Sequence, residues 1–327
     1  RPYLLGHAAA VGKKEGEGPL GERFDYVAKN DRMGQRSWEL AESELQKTAI
    51  RLALRKATLP ERSLDLILAG DLLNQCIGSF LASMHANVPY LGQYGACSTM
   101  AQGLALGGCL VESGAADRLL AAASSHFCSA ERQYRFPLGY GGQRTPTAQW
   151  TVTGSGCCIV GKSGHGPRIE AATIGKIQDY GIKDANNMGA AMAPAASATL
   201  LHYLRDTHAE PPDFDAIYTG DLGHVGSQLF RELLAAEGLL IKNHVDCGCI
   251  LYDANEQAVK SGGSGAGCCA AVLCAHILPR LERGTQKRVL FLATGALMSQ
   301  TTFLQKESIP AVAHLVELTA PEKGAAS

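Results

Sequence analysis

The chain has 327 residues, of which 46% are hydrophobic, and a formal net charge of −1; this is enough for two domains or one large duplicated body. It contains no basic block that would indicate a nucleic-acid-binding protein, and its longest apolar stretch, 268–278, is too short for a membrane span. Its 11 cysteines lack C-x-x-C spacing, which indicates buried free thiols in a reducing compartment rather than disulfides or a zinc site.

The first half of the chain is predicted to alternate helices and strands. The segment 13–21 is charged and glycine-rich, so we expect it to be a loop. Ser37 is a suitable N-cap for an amphipathic helix, because apolar residues follow it at helical spacing. LDLILAGDLL at 64–73 is typical of a buried strand that ends in Gly-Asp. An alanine-rich helix over 98–112 and a strand over 118–125 follow.

The second half is predicted to repeat this order. Pro194 is expected to open a helix, since proline fits the first helical position. FDAIYTGDLG at 214–223 reads as a buried strand, followed by an alanine-rich helix over 268–282 and a strand over 288–295. The second half therefore contains the same kinds of element as the first.

The two Gly-Asp strands match at a constant offset in their aspartates, the glycine between them and the leucine that follows, which indicates an internal duplication. Asp71 of the first run corresponds to Asp221 of the second at a constant offset. Strands that alternate with helices imply parallel sheets with helices packed on them. We expect an α/β protein made of two similar halves, 1–165 and 166–327.

YGACSTM at 94–100 places Cys97 where a predicted strand gives way to a buried helix. A helix N-terminus favours thiolate over thiol, so this cysteine could be a nucleophile. The alternative is that Cys97 is a small apolar filler of the core. The small neighbouring residues leave space next to the sulfur, which favours the nucleophile.

Several polar residues follow other predicted strands, and ligands bind at the carboxyl ends of strands in open α/β sheets. Asp71, His126, Asp221 and His224 are expected at the same rim as the cysteine. Each also has a structural alternative, since a strand-end aspartate often caps a helix and a histidine can be satisfied within the core. The glycine-rich segment 262–267 lacks G-x-G-x-x-G spacing, which favours close backbone packing over dinucleotide binding.

A duplicated α/β chain with Ala-Cys-Ser at a strand-to-helix turn resembles the thiolase superfamily, specifically its ketoacyl synthase III branch. The segment 146–161 resembles the strand-turn-strand of that branch, and GGSGAGCCAA resembles its late glycine-rich helix start. The resemblance implies a thiolase-like, five-layered αβαβα arrangement with two mixed sheets. It also implies a homodimer paired through the strand near 91–96.

A narrower resemblance is to the stage V sporulation protein AD family of endospore-forming bacteria, carried by GEGPLGERFD, LAGDLLNQ, YGACSTM, AAASSH, ATGALMS and SIPAVAHLVEL. That resemblance implies binding of dipicolinic acid and a part in its movement into the developing spore. The implied partners are membrane proteins of the stage V sporulation A complex. The implied location is intracellular, either soluble or peripheral at the inner membrane of the spore.

Condensing enzymes of the ketoacyl synthase III branch use a cysteine, a histidine and an asparagine. By this resemblance the histidine position falls on Gly220, and the asparagine position falls on or near Gly263. Loss of such partners usually costs several orders of magnitude in rate. The resemblance therefore implies that Cys97 is an inherited nucleophile position without its catalytic partners.

The leading hypothesis is a non-catalytic protein that binds dipicolinic acid in the former acyl pocket, alone or as its calcium chelate. The candidate binding residues are Cys97, Asp71, His126, Asp221, His224, Arg144 and Gly263. Arg144 would be the nearby cation, and the two aspartates would repel the dianion unless calcium bridges them or they orient neighbouring groups. Apart from calcium, no cofactor or metal is expected.

Two other hypotheses stay open at this point. One is an active acyltransferase in which Cys97 is the nucleophile and His224 replaces the missing base. The other is a scaffold whose pocket no longer functions and which docks to membrane partners.

Overall fold

The computed structural model describes residues 1–134 and 144–322. Its strands are β1 Tyr3–Val11, β2 Tyr26–Val27, β3 Leu66–Gly70, β4 Tyr90–Gly92, β5 Arg118–Ser125, β6 Trp150–Thr151, β7 Gly154–Gly161, β8 Arg168–Ile174, β9 Ala216–Thr219, β10 His244–Asp246, β11 Gly263–Ser264, β12 Arg288–Ala296 and β13 Ala311–Thr319. Its helices are α1 Lys13–Gly16, α2 Trp38–Lys56, α3 Ile77–Ser83, α4 Thr99–Glu112, α5 Phe127–Tyr134, α6 Met188–Thr207, α7 Gly223–Ala236, α8 Cys247–Ile250, α9 Ala266–Val272, α10 Leu278–Glu282 and α11 Gln300–Leu304. A π-helical turn, Leu273–Ile277, joins α9 to α10.

Ten strands of an 11-stranded sheet form two mixed blocks with the same internal order, while β2 pairs with β1 beside them and β6 and β11 form a separate two-stranded sheet. The first block runs β4-β3-β5-β7-β1, and the second runs β10-β9-β12-β13-β8. In each block the first three strands are parallel and the last two pairings are antiparallel. The blocks meet at a single residue pair, Tyr3 with Arg168. This topology repeats across the two halves, as the matching sequence runs predict.

Helices and sheets alternate in five layers. The central layer holds α4 and α9, and Met100 and Leu104 of α4 pack there with Phe291 of the second block. Helix α2 covers the outer face of the first block, where Leu45 contacts a core that includes Ile67. Helices α6 and α7 cover the outer face of the second block. Each layer buries one apolar face against the next, which supplies the main stabilisation of the fold.

Local sequence signals explain where the helices begin. The Ser37 hydroxyl accepts a hydrogen bond from the Leu40 amide at 3.3 Å, which confirms it as the N-cap of α2. The prediction for Pro194 is wrong, because α6 begins at Met188 and contains this proline in its interior. Asn187 caps α6 instead, and the burial of Ala191, Ala193, Ala195 and other small residues compensates for the hydrogen bond that proline removes.

The segment 13–21 is more ordered than predicted. Its first residues form the short helix α1, and Glu15 within that helix is buried. The Glu15 carboxylate accepts a hydrogen bond from the Thr153 amide at 3.0 Å and another from the Tyr252 hydroxyl. These tertiary contacts hold a turn that local composition alone does not favour.

The cysteines are as the sequence predicts. All 11 are free, and eight of them are buried.

Among the helices of residues 1–134 and 144–322, none combines the length and the hydropathy that crossing a bilayer requires.

Candidate functional site

A half-open cavity of about 90 Å³ lies where the two halves meet at the start of α4. Since one water molecule needs roughly 10–15 Å³ of such space, it can hold a ligand of several heavy atoms. Among the described residues, the first half contributes Leu72, Tyr94, Ala96, Cys97, Ala130, Glu131, Tyr134, Gln149 and Thr151 to its wall. The second half contributes Ala185, Asn186, Met188, Met192, Ser264, Ala296 and Met298.

Cys97 lies in a tight turn, Ala96–Ser98, directly before α4. Ala96 has a positive φ of 49°, a region that residues with a Cβ rarely adopt. Side-chain hydrogen bonds hold the turn, since Ser98 Oγ donates to the Gly95 carbonyl at 2.6 Å and Thr99 Oγ1 donates to the Ala96 carbonyl at 2.7 Å. The thiol of Cys97 is thereby fixed in the cavity wall with 8% of the residue exposed.

The group opposite the thiol is the carboxyl of Asp221, which is buried beyond the end of β9. It accepts hydrogen bonds from the Gly265 amide at 2.9 Å, from Thr294 Oγ1 at 3.1 Å and from Ser264 Oγ at 3.2 Å. The negative charge of this carboxyl also acts on the Cys97 thiol. A residue of the second half therefore meets the cysteine of the first.

This arrangement keeps the cysteine uncharged. Burial raises the pKa of the Cys97 thiol well above its ordinary value, and the negative charge of Asp221 raises it further. Burial also raises the pKa of Asp221 to about 7. A nucleophilic cysteine is activated by groups that favour the thiolate, such as a cationic neighbour or a histidine base. Asp221 has the opposite effect.

The positions assigned to the missing catalytic side chains are closed by packing. A Cβ at Gly220 would lie 3.1 Å from the Ala293 Cα and 3.3 Å from the Cys269 Cβ. A Cβ at Gly263 would lie 3.2 Å from both Tyr252 Cε2 and Val152 Cγ2. Neither position has room for a histidine or asparagine side chain without movement of its neighbours.

Asp71 and His126 lie outside the cavity wall. The Asp71 carboxylate accepts hydrogen bonds from the amides of Leu73 at 2.8 Å and Ser79 at 2.7 Å, so it organises the turn into α3. His126 is fully buried, with Nε2 hydrogen-bonded to the Asp31 carbonyl at 2.8 Å and Nδ1 accepting from the Cys128 amide at 3.1 Å. Both ring nitrogens are therefore engaged, which matches the structural alternative for each residue.

His224 and Arg144 are placed differently from what the hypotheses require. His224 is exposed at the start of α7, and its backbone amide donates to the Ser261 carbonyl. Arg144 is close to the cavity, but its guanidinium pairs with Glu131 Oε1 at 3.0 Å and lies over the Trp150 ring at 4.8 Å. The structure thus brings Cys97, Asp221 and Arg144 to the cavity region and leaves His224 on the surface.

Sequence patterns did not single out several residues of the cavity wall. Tyr134 donates to the Leu72 carbonyl at 2.5 Å and also contacts the Tyr94 hydroxyl at 3.0 Å. Gln149 donates to the carbonyls of Asp221 at 2.7 Å and Gly263 at 2.8 Å, linking the two halves. Tyr94 precedes Cys97 by three residues, a proximity that could have marked it. Gln149 lies in a loop, where no periodicity reveals its direction.

Comparisons with solved structures show the fold. 3-Oxoacyl-[acyl-carrier-protein] synthase III from Aquifex aeolicus aligns with a TM-score of 0.59 at 14% identity, covering 98% of this chain and all of that one. OleA from Xanthomonas campestris with bound cerulenin aligns with a TM-score of 0.61 at 15% identity, covering 97% of this chain and 98% of that one. The fold is therefore the thiolase-like, ketoacyl synthase III type that the sequence predicts.

Comparisons of sequence show the family. The chain is 44% identical over 313 residues to stage V sporulation protein AD of Bacillus subtilis, which covers 95% of this chain and 92% of that protein. The family model of stage V sporulation protein AD matches residues 1–319. The chain therefore belongs to the stage V sporulation protein AD family.

Proposed function

We propose that this sporulation-family protein binds a small ligand, dipicolinic acid, in the cavity beside Cys97 and performs no chemistry on it. The observation that carries the proposal is the burial of the Cys97 thiol in the cavity wall beside the Asp221 carboxyl. The cavity remains in place, while burial and the charge of Asp221 hold its thiol in the uncharged form.

The acyltransferase alternative lacks a histidine beside the thiol among the described residues that line the cavity. His224 is exposed and is not among the residues that line the cavity. The packing around Gly220 leaves no room to restore an imidazole there. Since nucleophile and base act as a unit, the absence of one removes most of the rate enhancement of the other.

The composition of the cavity wall suits a planar aromatic acid. Met188, Met192 and Met298 provide polarisable apolar contacts for the faces of a ring. The amide of Asn186 can donate hydrogen bonds at its edge, whereas the hydroxyls of Thr151 and Ser264 already donate to the carboxyls of Glu131 and Asp221. A mainly apolar wall with a few polar groups is the usual form of a small-molecule site.

The charges of the wall favour the calcium chelate over the free dianion. Glu131 brings a carboxylate to the wall, and its pairing with Arg144 leaves that region without excess positive charge. Asp221 adds negative charge as the pH rises above its pKa of about 7. Calcium bound to the ligand cancels the two ligand carboxylates, which lowers the electrostatic cost of entry. Asp71 takes no part, because its carboxylate faces α3.

Isothermal titration calorimetry with dipicolinate, with and without calcium, tests the proposal. Benzene-1,3-dicarboxylate, which has both carboxylates but no ring nitrogen, is the matched ligand control. We expect binding of dipicolinate, stronger with calcium, and much weaker binding of the control. Absence of heat at millimolar dipicolinate in both conditions would contradict the proposal.

A pair of variants locates the binding. Ala296→Phe fills the cavity from a half-buried wall position, whereas Ala254→Phe adds the same ring at an exposed position outside the wall. We expect the first variant to lose dipicolinate binding and the second to retain it. Equal binding by both would place the ligand elsewhere.

In the cell, the proposed role is the movement of dipicolinic acid into the developing spore, at the inner membrane and with membrane proteins of the stage V sporulation A complex.

The homodimer also stays a prediction. Strand β4 is at the edge of its block, and Leu91 within it is 51% exposed. An edge strand with unpaired backbone groups can pair with a second copy. Light scattering at micromolar concentration measures the mass, and a monomer would contradict pairing through 91–96.

A further inference from the structure

A second cavity lies on the outer face of the first half, between α2 and the segment 25–33. Its volume is about 730 Å³ and it shares no lining residue with the cavity beside Cys97. It is lined by Asp25, Tyr26, Val27, Lys29, Asn30, Met33, Glu44, Thr48, Arg51, Leu52 and Arg55. We call this cavity the basic cleft.

The charges of the basic cleft leave an excess of cations. Lys29 and Arg55 are exposed, and neither forms an ion pair with any residue in the parts of the chain that the structure describes. The acids of the cleft already have partners, since Glu44 contacts Arg51 at 3.1 Å and Asp25 contacts Lys56 at 2.6 Å. The unpaired charge of the cleft is therefore positive.

Three further arginines lie near His276, and one of them, Arg23, precedes Asp25 of the cleft by two residues. Arg23 Nη1 lies 3.3 Å from His276 Nδ1, and the charges of Arg280 and Arg283 also act on this histidine. These three arginines make no ion pair within residues 1–134 and 144–322. Burial and the arginines lower the pKa of His276 to about 4, so the ring is neutral and its Nδ1 can accept a hydrogen bond from Arg23. The chain as a whole has a net charge of −1, so this surface departs from its average.

The cleft also has apolar walls. Tyr26 and Val27 are each 38% exposed, and Leu52 of α2 lies on the wall with them. A concave site with apolar walls and unpaired cations at its rim can take an apolar side chain and pair with acidic residues on either side of it.

We propose that the basic cleft binds an acidic segment of a protein partner, with an apolar side chain of that segment inserted between α2 and segment 25–33. A protein segment fits better than a lipid surface, because a flat bilayer cannot follow a concave wall. The paired acids Asp25 and Glu44 also interrupt the cations, which suits discrete carboxylates more than a continuous anionic surface. The acidic segment is thus identified by charge and shape complementarity.

Fluorescence anisotropy tests this with the full chain and a fluorescein-labelled peptide of glutamates with interspersed leucines. Control peptides carry glutamine for glutamate, or alanine for leucine. The variant Lys29→Glu/Arg55→Glu reverses the unpaired cations, and Lys176→Glu/Lys242→Glu makes the same charge change at exposed positions elsewhere. We expect the first variant to bind the peptide at least about tenfold more weakly and the second to bind within about twofold of the parent.

The remaining outcomes separate the peptide from other anions. The alanine peptide should bind more weakly than the leucine peptide; equal binding would contradict insertion into the cleft. Vesicles of phosphatidylglycerol and phosphatidylcholine serve as the lipid probe. Binding to these vesicles that is lost in Lys29→Glu/Arg55→Glu, without binding to the peptide, would overturn the proposal in favour of a lipid surface. No difference between the two double variants would overturn it outright.

Discussion

The two Gly-Asp turns occupy equivalent positions in the duplicated chain, but their aspartates contact different parts of the molecule. Asp71, after β3, bonds to the amides of Leu73 and Ser79 in its own half. Asp221, after β9, bonds to the Gly265 amide and also reaches Cys97 of the other half. One aspartate builds a local turn, and the other joins the two halves at the cavity.

At the opposite ends of β3 and β9, the two halves keep the same hydrogen bonds. Asp65 Oδ2 accepts hydrogen bonds from the amides of Asp117 and Arg118, each at 2.9 Å. Asp215 Oδ2 makes the same contacts with Lys287 at 2.6 Å and Arg288 at 3.0 Å. The comparison shows that the duplicated halves keep the contacts that hold strands together and differ at the end that faces the cavity.

The largest expected effect is on how the free energy of unfolding depends on pH, and it should differ between variants of Asp221 and of Asp71. Burial raises the pKa of Asp221 from 3.8 to about 7, so the folded chain holds a proton that the unfolded chain releases. The stability of the parent therefore falls as pH rises from about 4 to about 7. Asp221→Asn lacks this loss, so its free energy of unfolding relative to the parent should increase by up to about 4 kcal/mol over that range. Urea denaturation at a series of pH values measures this difference.

Asp71→Asn is the matched variant in the other half. Burial raises the pKa of Asp71 and that of its neighbour Glu42, the latter to about 8. Asp71→Asn removes the titration of Asp71 and also lowers the pKa of Glu42, because the charge of Asp71 is one cause of the raised pKa of Glu42, so its pH profile should differ from that of Asp221→Asn. Coincident pH profiles would contradict the different environments of the two turns.

The glycines before the two aspartates should differ in their tolerance of a methyl group. A Cβ at Gly70 would lie 1.9 Å from the Gln93 carbonyl oxygen, which is backbone, whereas the nearest atom to a Cβ at Gly220 is 3.1 Å away. Gly70→Ala should cost about 3 kcal/mol or more, and Gly220→Ala about 1–2 kcal/mol. Thermal unfolding of both variants checks the order, and a larger loss for Gly220→Ala would contradict the packing described.

The smallest difference in stability is expected between variants of Asp65 and Asp215, the aspartates that precede β3 and β9. Asp65→Ala and Asp215→Ala each remove a carboxylate that accepts two backbone hydrogen bonds, so each should cost about 1–3 kcal/mol. The two losses should agree within about 0.5 kcal/mol when measured by urea denaturation. A clear inequality would show that the halves differ at this end too.

Much of the fold could be predicted from the sequence because apolar runs mark buried strands directly. The run at 118–125 is confirmed as β5, and the matched Gly-Asp runs correctly predicted two similar blocks. The start of α6 could not be predicted in the same way. Tertiary burial outweighs the local preference of Pro194 for a first turn.

The cavity was harder to predict than the fold, because a strand end fixes where a side chain begins and not what it contacts. Asp71 and Asp221 are equivalent by sequence, yet only the second reaches Cys97. His126 follows a strand as expected, but its ring is satisfied by the backbone of residue Asp31 in another loop. Partners this distant in sequence leave no periodic pattern.

The central claim is that Asp221 holds Cys97 as an uncharged thiol in a binding cavity. Iodoacetamide alkylation of Cys97 as a function of pH, read by peptide mass spectrometry in the parent and in Asp221→Asn, tests it most directly. The exposed Cys109 is the internal control. We predict that Cys97 in the parent reacts appreciably only at pH above the ordinary cysteine range, and that Asp221→Asn shifts the onset to lower pH. Alkylation of parental Cys97 below pH 7 at a rate above that of Cys109 would show an activated thiolate and contradict the claim.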